Sequence, residues 1–207
     1  MSAVRQVFLG VCMAVGALAL TGCATPPSAY IDHGFPVVAP EQLEHQGSPW
    51  RLQVVTRRYL GDRVHDDITP WVHSAATRAL SASRLVAPSP TGEDGKIVVT
   101  VRELVPSGEA LAKSVSRGAL GGLTLGAIGF TESTQFEVSL EVTVGERTVR
   151  SEPVAFDVNV RFGSASVPPG KPSHRNLNVA RSLALQDAIM WSIRSMQIGG
   201  TWPANER

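Results

Sequence analysis

Phe136 to Val144 (FEVSLEVTV), the dipeptide Gly145-Glu146, and Arg147 to Arg161 (RTVRSEPVAFDVNVR) form the run that decides the fold. Phe136, Val138, Leu140, Val142 and Val144 alternate with Gln135, Glu137, Ser139, Glu141 and Thr143. Successive side chains of a strand point to opposite faces, so this period of two means one buried face and one wet face. The return segment repeats the pattern, with Val154, Phe156, Val158 and Val160 set against Ala155, Asp157 and Asn159. Gly145-Glu146 supplies a tight turn, and the two halves are expected to pair as an antiparallel hairpin. Pro153 has no N–H to give to a ladder, so the first part of the return strand should lie at an edge or a bulge.

Outward from the hairpin, Lys96 to Val105 (KIVVTVRELV) reads as a strand with Ile97, Val99 and Val101 on one side. Arg51 to Tyr59 (RLQVVTRRY) reads as an earlier one. Between them, Thr69 can cap a helix that opens with Pro70, whose missing donor is not needed in a first turn. Val72, Ala75, Ala76, Ala79 and Leu80 share one face of that helix, which should run to about Ser83. After a Pro/Gly/Ser loop (GSASVPPGKPSHR), Val179, Leu183, Gln186, Met190 and Ile193 step by four and three along a final helix. Ile189 and Met196 broaden that stripe, and Gly199-Gly200 stops it. The expected fold is α+β with the order β-α-β-β-β-α: a mainly antiparallel sheet covered on one face by two helices, with a glycine-rich apolar insertion.

Arg5 is the only charge in the first 22 residues, Val7 to Leu20 (VFLGVCMAVGALAL) is apolar, and Leu20-Thr21-Gly22-Cys23 follows. An apolar core this short, followed at once by polar Pro-containing sequence, does not suit an ordinary transmembrane helix. The tetrad resembles the lipobox of Gram-negative bacterial lipoproteins. That resemblance implies a signal peptide over residues 1–22 and lipidation of Cys23, which becomes the N-terminus. Ala24, where an inner-membrane retention signal usually has Asp, implies an outer-membrane address with the domain facing the periplasm. Residues 23–49, with five prolines, are expected to be a tether, and a piece around Phe35 to Val38 is expected to dock on a single domain over 50–207. Cys12 falls in the removed segment, so the exported domain keeps no thiol for a disulfide and depends on its hydrophobic core. The chain carries 19 basic and 18 acidic side chains, and loss of Arg5 leaves 18 of each. So even a balance argues against nucleic acid as a partner.

The segment Ala110 to Phe130 (ALAKSVSRGALGGLTLGAIGF) stands apart. Ala110, Ser114, Gly118, Gly122 and Gly126 recur every four residues, and Gly118 to Phe130 carries no charge, while Lys113 and Arg117 precede it. As a helix those 13 residues would reach ~20 Å, short of a ~30 Å hydrocarbon core. Sixteen or so solvated apolar residues would be an aggregation liability, so the segment needs a cover. Three covers are open: the domain itself, a bilayer with Lys113 and Arg117 left among headgroups, or another copy packed along a small-residue groove. Gly118, Gly122, Gly126, Lys113 and Arg117 are thus the candidate membrane or partner contacts.

Chemistry elsewhere is sparse. His65, Asp66, Asp67 and His73 are the one cluster with metal-ligand side chains, but Pro70 interrupts a shared face and two histidines without cysteine are too few; no metal and no cofactor is expected. No serine sits in a nucleophile elbow, and neither GxGxxG nor GxxxxGK[ST] occurs, so no catalytic residue is expected and the chain is read as not an enzyme. Glu93-Asp94 and Glu103 have a turn and a strand's wet face as their simplest homes. Trp71 and Trp191, one on each helix, suit core or interface anchors, with a ligand platform between the helices as the alternative. In layout the chain resembles the small auxiliary lipoproteins of ABC-type envelope lipid-transport systems, with Ile68-Thr69-Pro70-Trp71-Val72 at the start of the first helix. Curli-secretion-like and complement-resistance-like outer-membrane lipoproteins share that layout. The resemblance implies a non-enzymatic binding or assembly accessory of an envelope complex, anchored to the membrane by its lipid and joined to a protein partner. The alternative is a homo-oligomer that enters the bilayer as a structural or pore-like element through residues 110–130.

Overall fold

The computed structural model describes residues 27–45, 47–65, 70–104 and 129–204. In chain order its strands are β1 (Ser28–His33), β2 (Trp50–Leu60), β3 (Arg63–His65), β4 (Val86–Pro88), β5 (Gly95–Leu104), β6 (Phe130–Val144), β7 (Arg147–Arg150) and β8 (Val154–Phe162). The helices are α1 (Pro70–Ala82) and α2 (Leu177–Ile198). One sheet runs β1-β8-β6-β5-β2-β3, with β4 beside β2 and β7 beside β6. Pairing is antiparallel except where β2 meets β5 and β4. The class is α+β, a mixed and mainly antiparallel sheet with two helices. The element order is fuller than expected: β1 comes before the first expected strand, β3 and β4 flank α1, and the return strand is divided in two.

The alternation along β6 sets the core. Phe136, Val138, Leu140 and Val142 are at most 1% exposed, whereas the residues between them are partly wet. Register carries the same face across the sheet, through Ile97, Val99 and Val101 on β5 and Val154, Phe156 and Val158 on β8. Each such side chain contributes roughly 1.5–3 kcal/mol when fully buried. α1 covers this face with Val72, Ala75, Ala76, Ala79 and Leu80, the five positions expected from the sequence. Pro153 sits at a bulge, as expected. β7 pairs Arg150 with Glu141 and β8 pairs Val154 with Val138, so one extra residue is taken up between them. Ser151 bridges the gap: its N–H donates to the Leu140 carbonyl, and its hydroxyl accepts from the Leu140 N–H.

Two expectations need correction. Within residues 23–49, read as a tether, Ser28–His33 is the edge strand paired to β8, and the chain after it crosses the outside of α2. Ala29 and Ile31 alternate inward without an intervening proline, which is enough to add a strand. Phe35 then stacks on Trp191 at 6.4 Å, Val38 and Leu43 are buried, and Glu44 pairs with Arg194 at 2.8 Å. The docking expected around Phe35 to Val38 is therefore part of a longer strap. The second correction concerns α2. Val179 and Leu183 are 47% and 37% exposed, whereas the expected Ile189, Met190, Ile193 and Met196 are buried, and Ala180, Ala184, Leu185 and Ala188 complete the buried face. Three alanines let the helix sit close to the sheet. The strap meets α2 at Trp191, Arg194 and Gln197.

The sheet has two distinct ends. At one, β1 begins, β8 finishes, β6 begins at Phe130, and the N-terminus of α2 approaches through the His174–Ala29 bridge. β6 and β8 extend six residues, or about 20 Å, and β1 five, past the level at which Leu60, Glu103 and Phe136 lie side by side. This projecting tip ends in Phe130 and Phe162, whose rings stack with centroids 4.9 Å apart. At the other end β2 begins at Trp50, β4 pairs beside it, and α2 finishes near Gly199.

Candidate functional site

Cys23, Lys113, Arg117, Gly118, Gly122 and Gly126 all lie outside the described residues, as do Thr69 and the acidic part of the His65–Asp67 cluster. What the structure does fix is where the glycine-rich segment joins the fold. The chain leaves at the end of β5, after Leu104, and is described again from Gly129, at the tip side of the sheet. Gly129 packs hard against the turn after β8: a Cβ there would sit 1.9 Å from the Ala165 amide nitrogen. Only glycine fits this close approach.

Two polar constructions lie among the described residues. The first grows out of strand phase. On β2 the inward residues are Leu52, Val54, Thr56 and Arg58; on β5 they are Ile97, Val99, Val101 and Glu103. Where the apolar stripe ends, the same face continues in charge. Glu103 therefore faces the helices rather than the wet face expected for it. Arg58 Nη2 lies 2.7 Å from Glu103 Oε2, with the side chains only 21% and 18% exposed. From α2, Arg181 lays its guanidinium 5.8 Å from the centre of the Phe136 ring. Burial holds the Arg181 pKa below its ordinary value; Glu103 pulls it back up and Arg58 pushes it further down. Arg181 Nε and Thr56 Oγ1 are buried with no hydrogen-bond partner among the described residues. Arg181 is thus partly out of water beside the Arg58–Glu103 pair.

The second is a half-open cleft of about 220 Å³ at the Trp50 end, lined by His45, Trp50, Arg84, Leu85, Gln197 and Trp202 among others. Its walls are built locally. After α2, the N–H groups of Thr201 and Trp202 both donate to the Met196 carbonyl and turn the chain back. Trp50 is 7% exposed, and its indole N–H donates to the Pro203 carbonyl. Ser83 ties the end of α1 by donating to the Leu80 carbonyl and accepting from the Leu85 N–H. Arg84 between them has φ of 57°, the one described non-glycine residue in the left-handed region. That conformation costs roughly 1–3 kcal/mol and persists only where the surroundings enforce it. The strap's polar groups are already engaged: Gln197 bonds the Glu44 backbone from both its amide atoms, and His45 Nε2 lies 3.0 Å from the Ser83 carbonyl. Arg84 has no ion pair among the described residues and faces solvent. Indole surface beside a free guanidinium suits a small planar or anionic ligand, or a short peptide turn.

Glu93 and Asp94 occupy the turn expected for them. Ser89 and Arg51 hydrogen bonds hold the Glu93 carboxyl down to about 2. Trp191 is an anchor for Phe35, and Trp71 packs against the core. Sequence reasoning missed the cleft because Trp202 lies beyond the Gly199-Gly200 stop, where no periodicity speaks. It also missed the Arg58–Glu103–Arg181 group, although Glu103 stands in phase with Ile97, Val99 and Val101. Among the described residues no group of three metal-ligating side chains occurs, and no helix is long and apolar enough to cross a membrane.

No family model and no curated protein matches the chain. Among solved structures it is similar to the PelC dodecamer from Paraburkholderia phytofirmans, at 12% identity over 78% of this chain and 98% of that one, with a TM-score of 0.29. A substituted PelC dodecamer from the same organism is similar at 11% identity with the same coverage and a TM-score of 0.25. Likenesses of that degree leave the functional reading to rest on the chain's own residues.

Proposed function

We propose that this chain is a lipid-anchored outer-membrane lipoprotein whose α+β domain acts in the periplasm as a non-enzymatic binding or assembly accessory of an envelope complex. One observation carries the reading. The lipobox tetrad Leu20-Thr21-Gly22-Cys23 stands five residues ahead of Ser28, the first residue of the edge strand. Two acyl chains on one residue anchor strongly without a polybasic patch. The cleft at Trp50, at the far end of the sheet from Ser28, is where this reading places ligand or partner contact.

The test is replacement of Cys23 with Ser, followed by fractionation and crosslinking in the membrane. The accessory reading expects the wild type in the membrane fraction, crosslinked to one heterologous protein, and the variant released or retained as precursor. A ladder of self-crosslinked species, abolished by Gly122→Leu, would favour the homo-oligomeric alternative. Unchanged membrane association of the Cys23→Ser variant would sink the anchor.

A further inference from the structure

The span from Cys23 to Ser28 covers at most about 17 Å when fully extended. β6 alone, at 15 residues, is about 50 Å long. An anchor at Cys23 therefore holds the tip of the sheet beside the bilayer and leaves the Trp50 end out of reach of the same tether. Three described features of the tip match a lipid surface. Phe130 and Phe162 stack at its extremity and stay partly exposed, an arrangement suited to the boundary between headgroups and acyl chains. Arg175 is exposed there and has no ion pair among the described residues, while Arg161 binds the Ser28 hydroxyl and the Ala165 carbonyl, fixing the chain's entry. α2 begins at the tip, so the positive end of its dipole points the same way. At the Trp50 end the exposed Glu146 lies in the β6–β7 turn, and Glu93 is paired with Arg51 at 2.6 Å.

We propose that the tip of the sheet, formed by Phe130, Phe162 and Arg175 around the start of β1, is a docking surface for an anionic phospholipid bilayer. The domain stands on its tip, with the β2–β3 turn a step higher and the Trp50 cleft farthest from the membrane. This deepens the lipoprotein reading and rests on it.

The mature domain has no cysteine besides Cys23, so single labels are clean. Three full-length variants, Ser166→Cys near the tip, Val64→Cys on the β2–β3 step and Glu146→Cys at the far end, take an environment-sensitive fluorophore. Each is reconstituted in phosphatidylethanolamine vesicles with phosphatidylglycerol and nitroxide-bearing lipid. Quenching should be strongest at 166, weaker at 64 and absent at 146; Arg175→Glu should remove the extra quenching that phosphatidylglycerol gives at 166. Equal quenching at all three positions, a reversed order, or indifference to phosphatidylglycerol overturns the surface. Intact mass of the same preparations separates the two readings. If Cys23 carries no lipid, the anchor reading fails, and the surface is judged by the same three labels on a chain with Cys12→Ser and Cys23→Ser, which leaves one thiol: the graded order supports it and no quenching overturns it.

Discussion

At the Trp50 end the chain closes on itself: Trp50 is held by Pro203, Gln197 grips the Glu44 backbone, and Ser83 locks the turn out of α1. At the tip β6 and β8 run past the described part of β5, end in one aromatic pair, and have the glycine-rich segment leaving and returning on their side. The first end draws its order from buried aromatic surface and satisfied polar groups. The second keeps apolar and cationic groups half in water, which for a free-standing domain is a poor use of residues. The contrast teaches that stability and contact are divided along the strands of a single sheet. The charged group of Arg58, Glu103 and Arg181 marks the border, where the apolar stripe stops.

Five substitutions test that division, from the largest effect downward. Trp50→Ala should cost about 3–5 kcal/mol in denaturant unfolding, because it empties a buried indole site and frees the C-terminal turn, whereas Val64→Ala should stay within about 0.5 kcal/mol. Equal costs would erase the difference between the ends. Gly129→Ala should cost about 1–3 kcal/mol through its clash with Ala165. A neutral result would mean that the β6 entry is not fixed. Glu103→Gln should cost about 1–2 kcal/mol, since it removes the carboxylate that pairs with Arg58 and favours the charged form of Arg181, while Arg181→Met should be near neutral or stabilising. If Arg181→Met were the costlier change, the border group would be an ordinary structural ion pair.

The smallest effect is a pH dependence at the tip strands. Asp157 lies directly across from Asp32, and burial first and Asp32 second raise its pKa. A carboxyl whose folded pKa is raised favours the folded state below its unfolded pKa of ~4, and that contribution is lost as pH rises through the folded value. Asp157→Asn should therefore stabilise the domain by up to ~1 kcal/mol at neutral pH, with the gain vanishing in acid. Glu93, at the other end, has the opposite sign: its low pKa of about 2 supports the fold above pH ~4 and fails as pH falls towards 2. Thermal unfolding of Asp157→Asn and Glu93→Gln across pH 2–7 should give profiles that slope in opposite directions.

Where one face of an element meets the core and the other meets water, its sequence was readable. β6 and α1 show this: every expected apolar position is buried except Val144, which is partly exposed at the end of β6. Only the first half of α2 was misread: Val179 and Leu183 face water, and the face that is buried there is made by Ala180 and Ala184, whose small side chains give a weak hydrophobic signal. β1 was hidden by the prolines around it, although none falls inside it. The border group had a signal in the phase of β5, but a charged residue continuing an apolar stripe reads naturally as the point where the stripe ends. The cleft had none, because it depends on a C-terminal turn packing against a strand some 150 residues away.

The whole account turns on the sulfur of Cys23, and intact-mass analysis of the protein extracted from cell membranes tests it most directly. The account predicts a chain that begins at that cysteine and carries the added mass of diacylglycerol, with or without a further acyl chain. A free thiol at Cys23, or a mature chain that begins at any other residue, would contradict it.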